Sequence, residues 1–122
     1  MILIVDDDPS FLEYANAALG AHTRVCFASD APHAIGLLDY LGSQVGVALV
    51  DLDLPGTSGF DLIHEIRQKY PELPIVAISG VFSEAALLGA TEVGADGTLR
   101  KPITSDWKLT IDRIRRQRTS AN

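Results

Sequence analysis

The chain opens with the stretch MILIVDDDPS (residues 1–10), in which five apolar residues lead directly into three aspartates and a proline. A continuous apolar run of this kind is typical of a strand in a parallel sheet that is covered on both faces. Three neighbouring carboxylates at the end of such a strand repel one another, and each is costly to bury without a partner. The stretch therefore predicts a buried first strand that ends at a cation-binding site.

The rest of the chain repeats this alternation of short apolar runs with amphipathic stretches of helical spacing. The predicted strands are 1–5, 24–28, 45–50, 74–79 and 97–100, and the predicted helices are 10–20, 30–42, 58–70, 83–95 and 105–118. The residues predicted to share one face of the first helix are Phe11, Tyr14, Ala15, Ala18 and Leu19. Five strands that alternate with five helices over short connections predict a doubly wound α/β domain with a parallel sheet.

The composition is that of one globular domain, with 122 residues, of which 47% are hydrophobic and 21% charged. The single cysteine, Cys26, excludes an internal disulfide and is predicted to be a small core residue, which fits a reduced, cytoplasmic setting. The first apolar run is too short for a signal peptide, and no run approaches the roughly 20 residues of a membrane span. We therefore expect a cytoplasmic protein without a membrane segment.

The net charge of −6 is unevenly distributed along the chain. The first 99 residues carry three basic side chains against fourteen acidic ones, whereas the last 23 carry seven against two. The acidic body argues against direct nucleic-acid binding. The basic segment DRIRRQR (residues 112–118) is predicted to form the solvated face of the last helix, with a phosphate- or partner-binding patch as the alternative.

In parallel sheets of this class, ligands bind outside the carboxyl ends of the strands. The polar residues predicted at those ends are Asp6, Asp7, Asp8, Asp51, Asp53, Ser79 and Lys101. Carboxylates are suitable ligands for Mg²⁺, and the lysine and the hydroxyl add a positive charge and a hydrogen-bond donor. This set suits a phosphoryl group, whose charge is spread over several oxygens, and a carboxylate can itself accept that group.

Five segments then match one family in order and spacing. They are LIVDDDP (3–9), ALVDLDLPGTSGFDL (48–62), PIVAISG (74–80), GADG (94–97) and LRKP (99–102). On these segments the chain resembles, over nearly its whole length, the CheY-like receiver domain of bacterial two-component response regulators. The resemblance implies a flavodoxin-like (βα)5 fold with strand order 2-1-3-4-5 and a single receiver domain over residues 1–122. It also implies a protein that catalyses only its own phosphoryl transfer and dephosphorylation.

The resemblance assigns roles to the residues of the strand ends. Asp51 matches the phosphoacceptor, which would receive its phosphoryl group from a sensor histidine kinase or a histidine phosphotransfer protein. Asp6 and Asp7 match the acidic pair that holds Mg²⁺ together with Asp51, and Asp53 falls where the family supplies a backbone carbonyl to the metal.

Four further positions complete this assignment. Ser79 matches the hydroxyl that bonds the new phosphoryl oxygen, and Gly80 the small position beside that group. Lys101 matches the family's lysine, and Pro102 the proline whose preceding peptide bond is often cis.

Taken singly, some residues of the strand ends also have ordinary interpretations: Asp53 as a loop acid, Ser79 as a strand-end cap and Lys101 as a surface lysine. Asp8 is expected to face solvent or to cap the first helix.

The sequence departs from the family pattern at Thr98, where the family usually has an aromatic residue that rotates when the hydroxyl moves. Signalling is therefore expected to use another route, for which Phe82 is a candidate. Val81, two residues after the hydroxyl, is expected not to orient water toward the aspartyl phosphate.

Three rival functions fit less well. A calcium loop beginning at Asp51 would need a bidentate Glu where Leu62 stands. A phosphatase of the haloacid dehalogenase type would need Thr or Val at Pro55 and a second acidic motif for which the chain lacks room. A pseudo-receiver that only docks is disfavoured by the intact set of acids, hydroxyl and lysine.

The remaining expectations concern partners and surface residues. We expect a stand-alone receiver that acts on a downstream protein, with a fragment lacking its output domain as the alternative. By resemblance, the face of the fourth helix, fifth strand and fifth helix is the first surface to examine for a partner, including a second copy of the chain. His22, His33 and His64 are expected at the surface, and Trp107 is expected to pack the last helix against its neighbours.

Overall fold

The computed structural model describes residues 1–21, 23–54, 56, 58–80 and 84–120, with side chains up to Arg118. The strands are β1 (Ile2–Val5), β2 (Val25–Ala28), β3 (Val47–Asp51), β4 (Ile75–Ser79) and β5 (Gly97–Arg100). The helices are α1 (Pro9–Leu19), α2 (Ala31–Leu41), α3 (Gly59–Lys69), α4 (Glu84–Val93) and α5 (Asp106–Ser120). All paired strands are parallel, in the order β2-β1-β3-β4-β5. The predicted fold class and strand order are therefore confirmed.

The predicted boundaries differ from the structure by a few residues at most. β3 begins at Val47 rather than at residue 45 and extends through Asp51, so the acid is the last residue of its strand. A 3₁₀ turn at Gly42–Gln44, absent from the prediction, follows α2. The predicted first residue of the fourth helix, Ser83, lies outside the described residues.

The sheet separates two apolar layers because successive residues of a strand point to opposite faces. Leu3, Val5 and Val50 face the layer of α2, α3 and α4, which also contains Leu38 and Leu62. The alternate residues of these strands, among them Ile4, Leu49 and Ile78, point to the other face of the sheet and pack against the layer of α1 and α5. The central strands are therefore buried on both sides, as their uninterrupted apolar sequences predicted.

The predicted buried face of α1 is only partly correct. Ala15 and Leu19 are buried, but the Tyr14 residue is 56% exposed and Ala18 is also exposed. Leu12 instead joins Phe11 against the core. The reason is geometric: α1 contacts the core along the line of Phe11, Ala15 and Leu19, with Leu12 on one side of that line, whereas Tyr14 and Ala18 lie on its other side and face solvent.

Three further predictions concern single residues. Trp107 is buried in the layer of α1 and α5, as predicted. Cys26 packs against the core but is only partly buried because it lies on the edge strand β2, and this burial raises the pKa of its thiol. His33 and His64 are exposed, as predicted, and His22 lies outside the described residues.

Across the described part of the chain, no helix combines the length and apolarity that crossing a membrane requires.

Candidate functional site

The register of the sheet brings four strand ends to one edge. Val5 pairs with Val50, Asp51 with Ile78, and Ser79 with Arg100, so the residues that end or follow these strands are neighbours in space. Backbone hydrogen bonds continue one step beyond the strands, with the Lys101 N–H donating to the Ser79 carbonyl at 3.0 Å. The predicted edge of acids, hydroxyl and lysine is therefore a real cluster.

Its acidic part consists of Asp6, Asp7 and Asp51, which can each present one carboxylate oxygen such that all three oxygens lie within 4.8 Å of one another. Asp6 is fully buried and Asp51 is 2% exposed, whereas Asp7 faces solvent. Asp6 Oδ1 accepts the Asp8 N–H at 2.9 Å, a hydrogen bond within the loop that carries the three aspartates. Asp6 Oδ2 is buried without a hydrogen bond of good angle to any described residue, although the Lys101 ammonium lies 2.6 Å away.

Asp51 is held by contacts at both carboxylate oxygens. Oδ1 accepts the Asp53 N–H at 3.0 Å, and Oδ2 lies 3.4 Å from Lys101 Nζ. Burial raises the pKa of Asp51, and the negative charge of Asp6 raises it further. The Asp53 N–H and the Lys101 ammonium oppose this shift without cancelling it. The ionised form of Asp51 is thus disfavoured by burial and favoured by the lysine.

Lys101 lies between the two buried carboxylates, closer to Asp6 than to Asp51. Burial lowers the pKa of this lysine, but the two carboxylates outweigh burial and raise it. The ammonium also stands 4.3 Å from the centroid of the Phe11 ring. Lys101 is therefore a positive charge beside the two buried carboxylates.

Ser79, Gly80 and Asp53 lie on the rim of this cluster. Ser79 is 3% exposed, and its hydroxyl is 3.5 Å from Asp53 Oδ2, at the outer limit of a hydrogen bond. Asp53 itself is exposed. A Cβ added at Gly80 would meet only the Lys101 Cδ at 3.7 Å, an ordinary contact, so any need for glycine here would come from a bound group. The backbone carbonyl of Asp53 remains a predicted ligand.

The loop that follows Asp51 leads into the first turn of α3. Ser58 caps this helix by accepting the Asp61 N–H at 3.2 Å. A Cβ at Gly59 would lie 2.2 Å from the Asp51 carbonyl oxygen and 2.6 Å from the Leu52 Cα. Only glycine therefore permits α3 to start this close to the end of β3.

The other predictions for the site have mixed outcomes. The Lys101–Pro102 peptide bond is cis, as the resemblance implied, and Asp8 caps α1 by accepting the Ser10 N–H at 3.0 Å. Thr98 is partly buried on β5. Pro55, Val81 and Phe82 lie outside the described residues. Sequence reasoning placed Phe11 only on a helix face and missed its contact with Lys101.

The ligand atoms of this cluster are of the type that a magnesium ion binds. Three carboxylates supply oxygen ligands of the kind that Mg²⁺ prefers, and one buried oxygen of Asp6 lacks a well-formed hydrogen bond within the described residues. The residues present therefore fit a hard divalent cation.

Comparison with known proteins agrees with this arrangement. The family described as response regulator receiver domain matches residues 2–111. The transcriptional regulatory protein AruR of Pseudomonas aeruginosa is 33% identical, in an alignment covering 98% of this chain and 52% of AruR. The chain thus spans about half the length of that relative.

Solved structures show the same fold. The receiver domain of NtrX from Brucella abortus has a TM-score of 0.86 at 28% identity, covering 95% of this chain and 98% of that one. A CheY-like receiver domain protein from Methanospirillum hungatei has a TM-score of 0.88 at 24% identity, covering 99% and 97%. The chain belongs to the response regulator receiver domain family of two-component signalling systems.

Proposed function

We propose that this receiver accepts a phosphoryl group on Asp51 from a histidine kinase or a histidine phosphotransfer protein. The observation that carries the proposal is the buried Asp51 carboxylate, flanked by a fixed ammonium and by the carboxylates of Asp6 and Asp7. Such a constellation is costly for folding alone, because it buries like charges next to one another. It is explained if the acids hold a cation that, together with Lys101, receives a phosphoryl group.

Each residue of the cluster has a separate role in the phosphoryl transfer. A carboxylate oxygen of Asp51 forms the new bond to phosphorus while the bond from phosphorus to the donor nitrogen breaks. The Lys101 ammonium neutralises charge on the transferring group, and the Ser79 hydroxyl donates a hydrogen bond to one of its oxygens. The Asp53 N–H orients the acceptor by holding Asp51 Oδ1.

Asp6, Asp7 and Asp51, with the Asp53 carbonyl, are the residues that would hold Mg²⁺. When bound, the ion supplies positive charge that screens the acids from one another and from the phosphoryl oxygens. Gly80 leaves space beside the acceptor for the transferred group.

The response of the protein is proposed to be a change in a protein-binding surface. The partner is a downstream protein or an output domain, since the family acts in signalling and AruR is named as a transcriptional regulatory protein. The face formed by α4, β5 and α5 is the proposed contact surface, including for a second copy of the chain. Loss of the phosphoryl group to water would end the signal, and the setting would be the cytoplasm.

Intact mass spectrometry after incubation with a small phosphodonor tests this proposal. With Mg²⁺ the wild type should gain one phosphoryl group, and the gain should disappear in EDTA and in Asp51→Asn. Asp61→Asn is the matched control, because Asp61 is an exposed acid in the first turn of α3, and it should be phosphorylated like the wild type. A folded wild-type protein that gains no phosphoryl group would support the pseudo-receiver instead.

A further inference from the structure

Lys101 is fixed at its backbone from two sides. The N–H of the peptide unit that joins Arg100 to Lys101 donates to the Ser79 carbonyl at 3.0 Å. The carbonyl of the same unit accepts the Trp107 indole N–H at 3.0 Å. The backbone position of Lys101 is therefore well defined, whereas the position of its ammonium depends on the contacts of the flexible side chain.

At that end, two attractions on one side compete for the ammonium. Asp6 Oδ2 is 2.6 Å away and Asp51 Oδ2 is 3.4 Å away. The Lys101 side chain is 21% exposed, so it also has a route to water. A four-carbon stem can follow any of these attractions, because its rotamers differ little in energy.

The Phe11 ring also contacts the Lys101 ammonium. Its centroid lies 4.3 Å from Lys101 Nζ, within the range where the face of an aromatic ring attracts a cation. The ring is in turn supported by Trp107, with the two centroids 6.1 Å apart and the planes tilted by 55°. Phe11 thus attracts the ammonium through the face of its ring.

Local structure explains why the ring is there. Asp8 caps α1 and thereby fixes the helix start, which places Phe11 in the first turn of the helix that follows the acidic loop. The same loop that presents the acidic cluster therefore also sets the position of the aromatic ring.

We propose that Phe11 is a positioning residue for Lys101, holding the ammonium at the acceptor carboxylate through the face of its ring. This inference rests on the proposed phosphoryl transfer to Asp51, since the position of the ammonium matters for that reaction. It also makes a claim about the protein at rest, which can be measured separately.

The resting claim is tested by NMR of the Lys101 side chain. Methylene protons next to an ammonium held over an aromatic ring are shifted upfield by the ring current. The wild type and Phe11→Tyr should show this shift for the Lys101 ε-methylene group, and Phe11→Leu should lose it. Phe27→Leu is the matched control, since Phe27 is partly buried in the same layer, and it should keep the shift.

The functional claim is tested by the rate of phosphorylation with a small phosphodonor and Mg²⁺. Phe11→Leu should lower the maximal rate about three- to tenfold, a range set by the modest strength of a cation–π contact, with little change in the half-saturating donor concentration. Phe11→Tyr should restore the rate, and Phe27→Leu should match the wild type.

The outcomes separate the two proposals. If the wild type accepts no phosphoryl group, the proposed function fails, and the NMR shift still decides where Lys101 lies. The positioning role is overturned if the wild type shows no ring-current shift, or if Phe11→Leu reacts at the wild-type rate.

Discussion

The carboxyl group of Asp51 illustrates how the fold sets the chemistry of one residue. Burial and the nearby charge of Asp6 raise its pKa above the ordinary value of 3.8, while Lys101 and the Asp53 N–H act in the opposite direction. The folded state therefore binds this proton more tightly than the unfolded state does. It follows that ionised Asp51 lowers the free energy of unfolding, fully above its folded pKa and not at all well below 3.8.

Asp51→Asn should accordingly stabilise the protein near neutral pH in EDTA. Urea unfolding is expected to give a higher midpoint for the variant than for the wild type. The difference should shrink as the pH falls through the folded pKa of Asp51 and vanish well below 3.8, where the wild-type carboxyl group is protonated in both states. A variant that is less stable at neutral pH would show that the contact with Lys101 outweighs the cost of burial.

At the scale of elements, the junction of β3 and α3 sets the backbone geometry next to Asp51, the proposed acceptor. The end of β3 carries Asp51, and the first turn of α3 passes so close that Gly59 has no room for a Cβ. The helix interior of α2 offers the contrast, since a Cβ built at Gly36 would meet no atom of the described residues within 4 Å beyond its own helix backbone and chain neighbours. Two glycines at helical positions thus have different reasons to be there.

Alanine substitutions at these two glycines should have opposite effects. Gly59→Ala should lower the free energy of unfolding by about 1–3 kcal/mol, because backbone atoms must move, and it should also slow phosphorylation by displacing Asp51. Gly36→Ala should raise stability by up to about 1 kcal/mol, because alanine favours a helix interior, and should leave phosphorylation unchanged. Chemical denaturation of both variants is the measurement, and equal effects would refute the close-approach argument.

The elements also show what a sequence can predict. Asp6, Asp51, Ser79 and Lys101 were predicted to meet because each ends or follows a strand of one parallel sheet, and topology alone brings strand ends together. The contact between Phe11 and Lys101 was missed because it depends on the exact rotation of α1. The same rotation explains why Tyr14, predicted to share a helix face with Ala15 and Leu19, is exposed while those two residues are buried.

At the scale of the whole molecule, the two ends of the sheet have different electrostatic roles. The carboxyl end gathers acids around one lysine. At the opposite end, Asp96 bonds Arg67 at 2.8 Å, Arg118 at 2.8 Å and the Ile75 N–H at 2.9 Å. This hub joins α3, β4, β5 and α5, and nothing in the GADG segment predicted it, because its partners come from three distant parts of the chain.

Removal of the Asp96 carboxylate should destabilise the fold and leave the rate of phosphorylation unchanged. Asp96→Ala removes the carboxylate partner of two partly buried guanidinium groups, which keep their hydrogen bonds to backbone carbonyls, and it should lower the free energy of unfolding by about 2–3 kcal/mol. Asp112→Ala breaks only the solvent-exposed contact with Lys108 and should cost less than about 0.5 kcal/mol. Urea unfolding compares the two variants, and equal losses would mean that the hub contributes nothing beyond an ordinary surface pair.

The central claim, that Asp51 is the residue phosphorylated, is tested most directly by trapping the product. Borohydride reduces an aspartyl phosphate to homoserine, and peptide mass spectrometry then locates the changed residue. After reaction with a small phosphodonor and Mg²⁺, homoserine is predicted at position 51 and at no other aspartate. Homoserine at Asp6, Asp7 or Asp53, with Asp51 unchanged, would contradict the account.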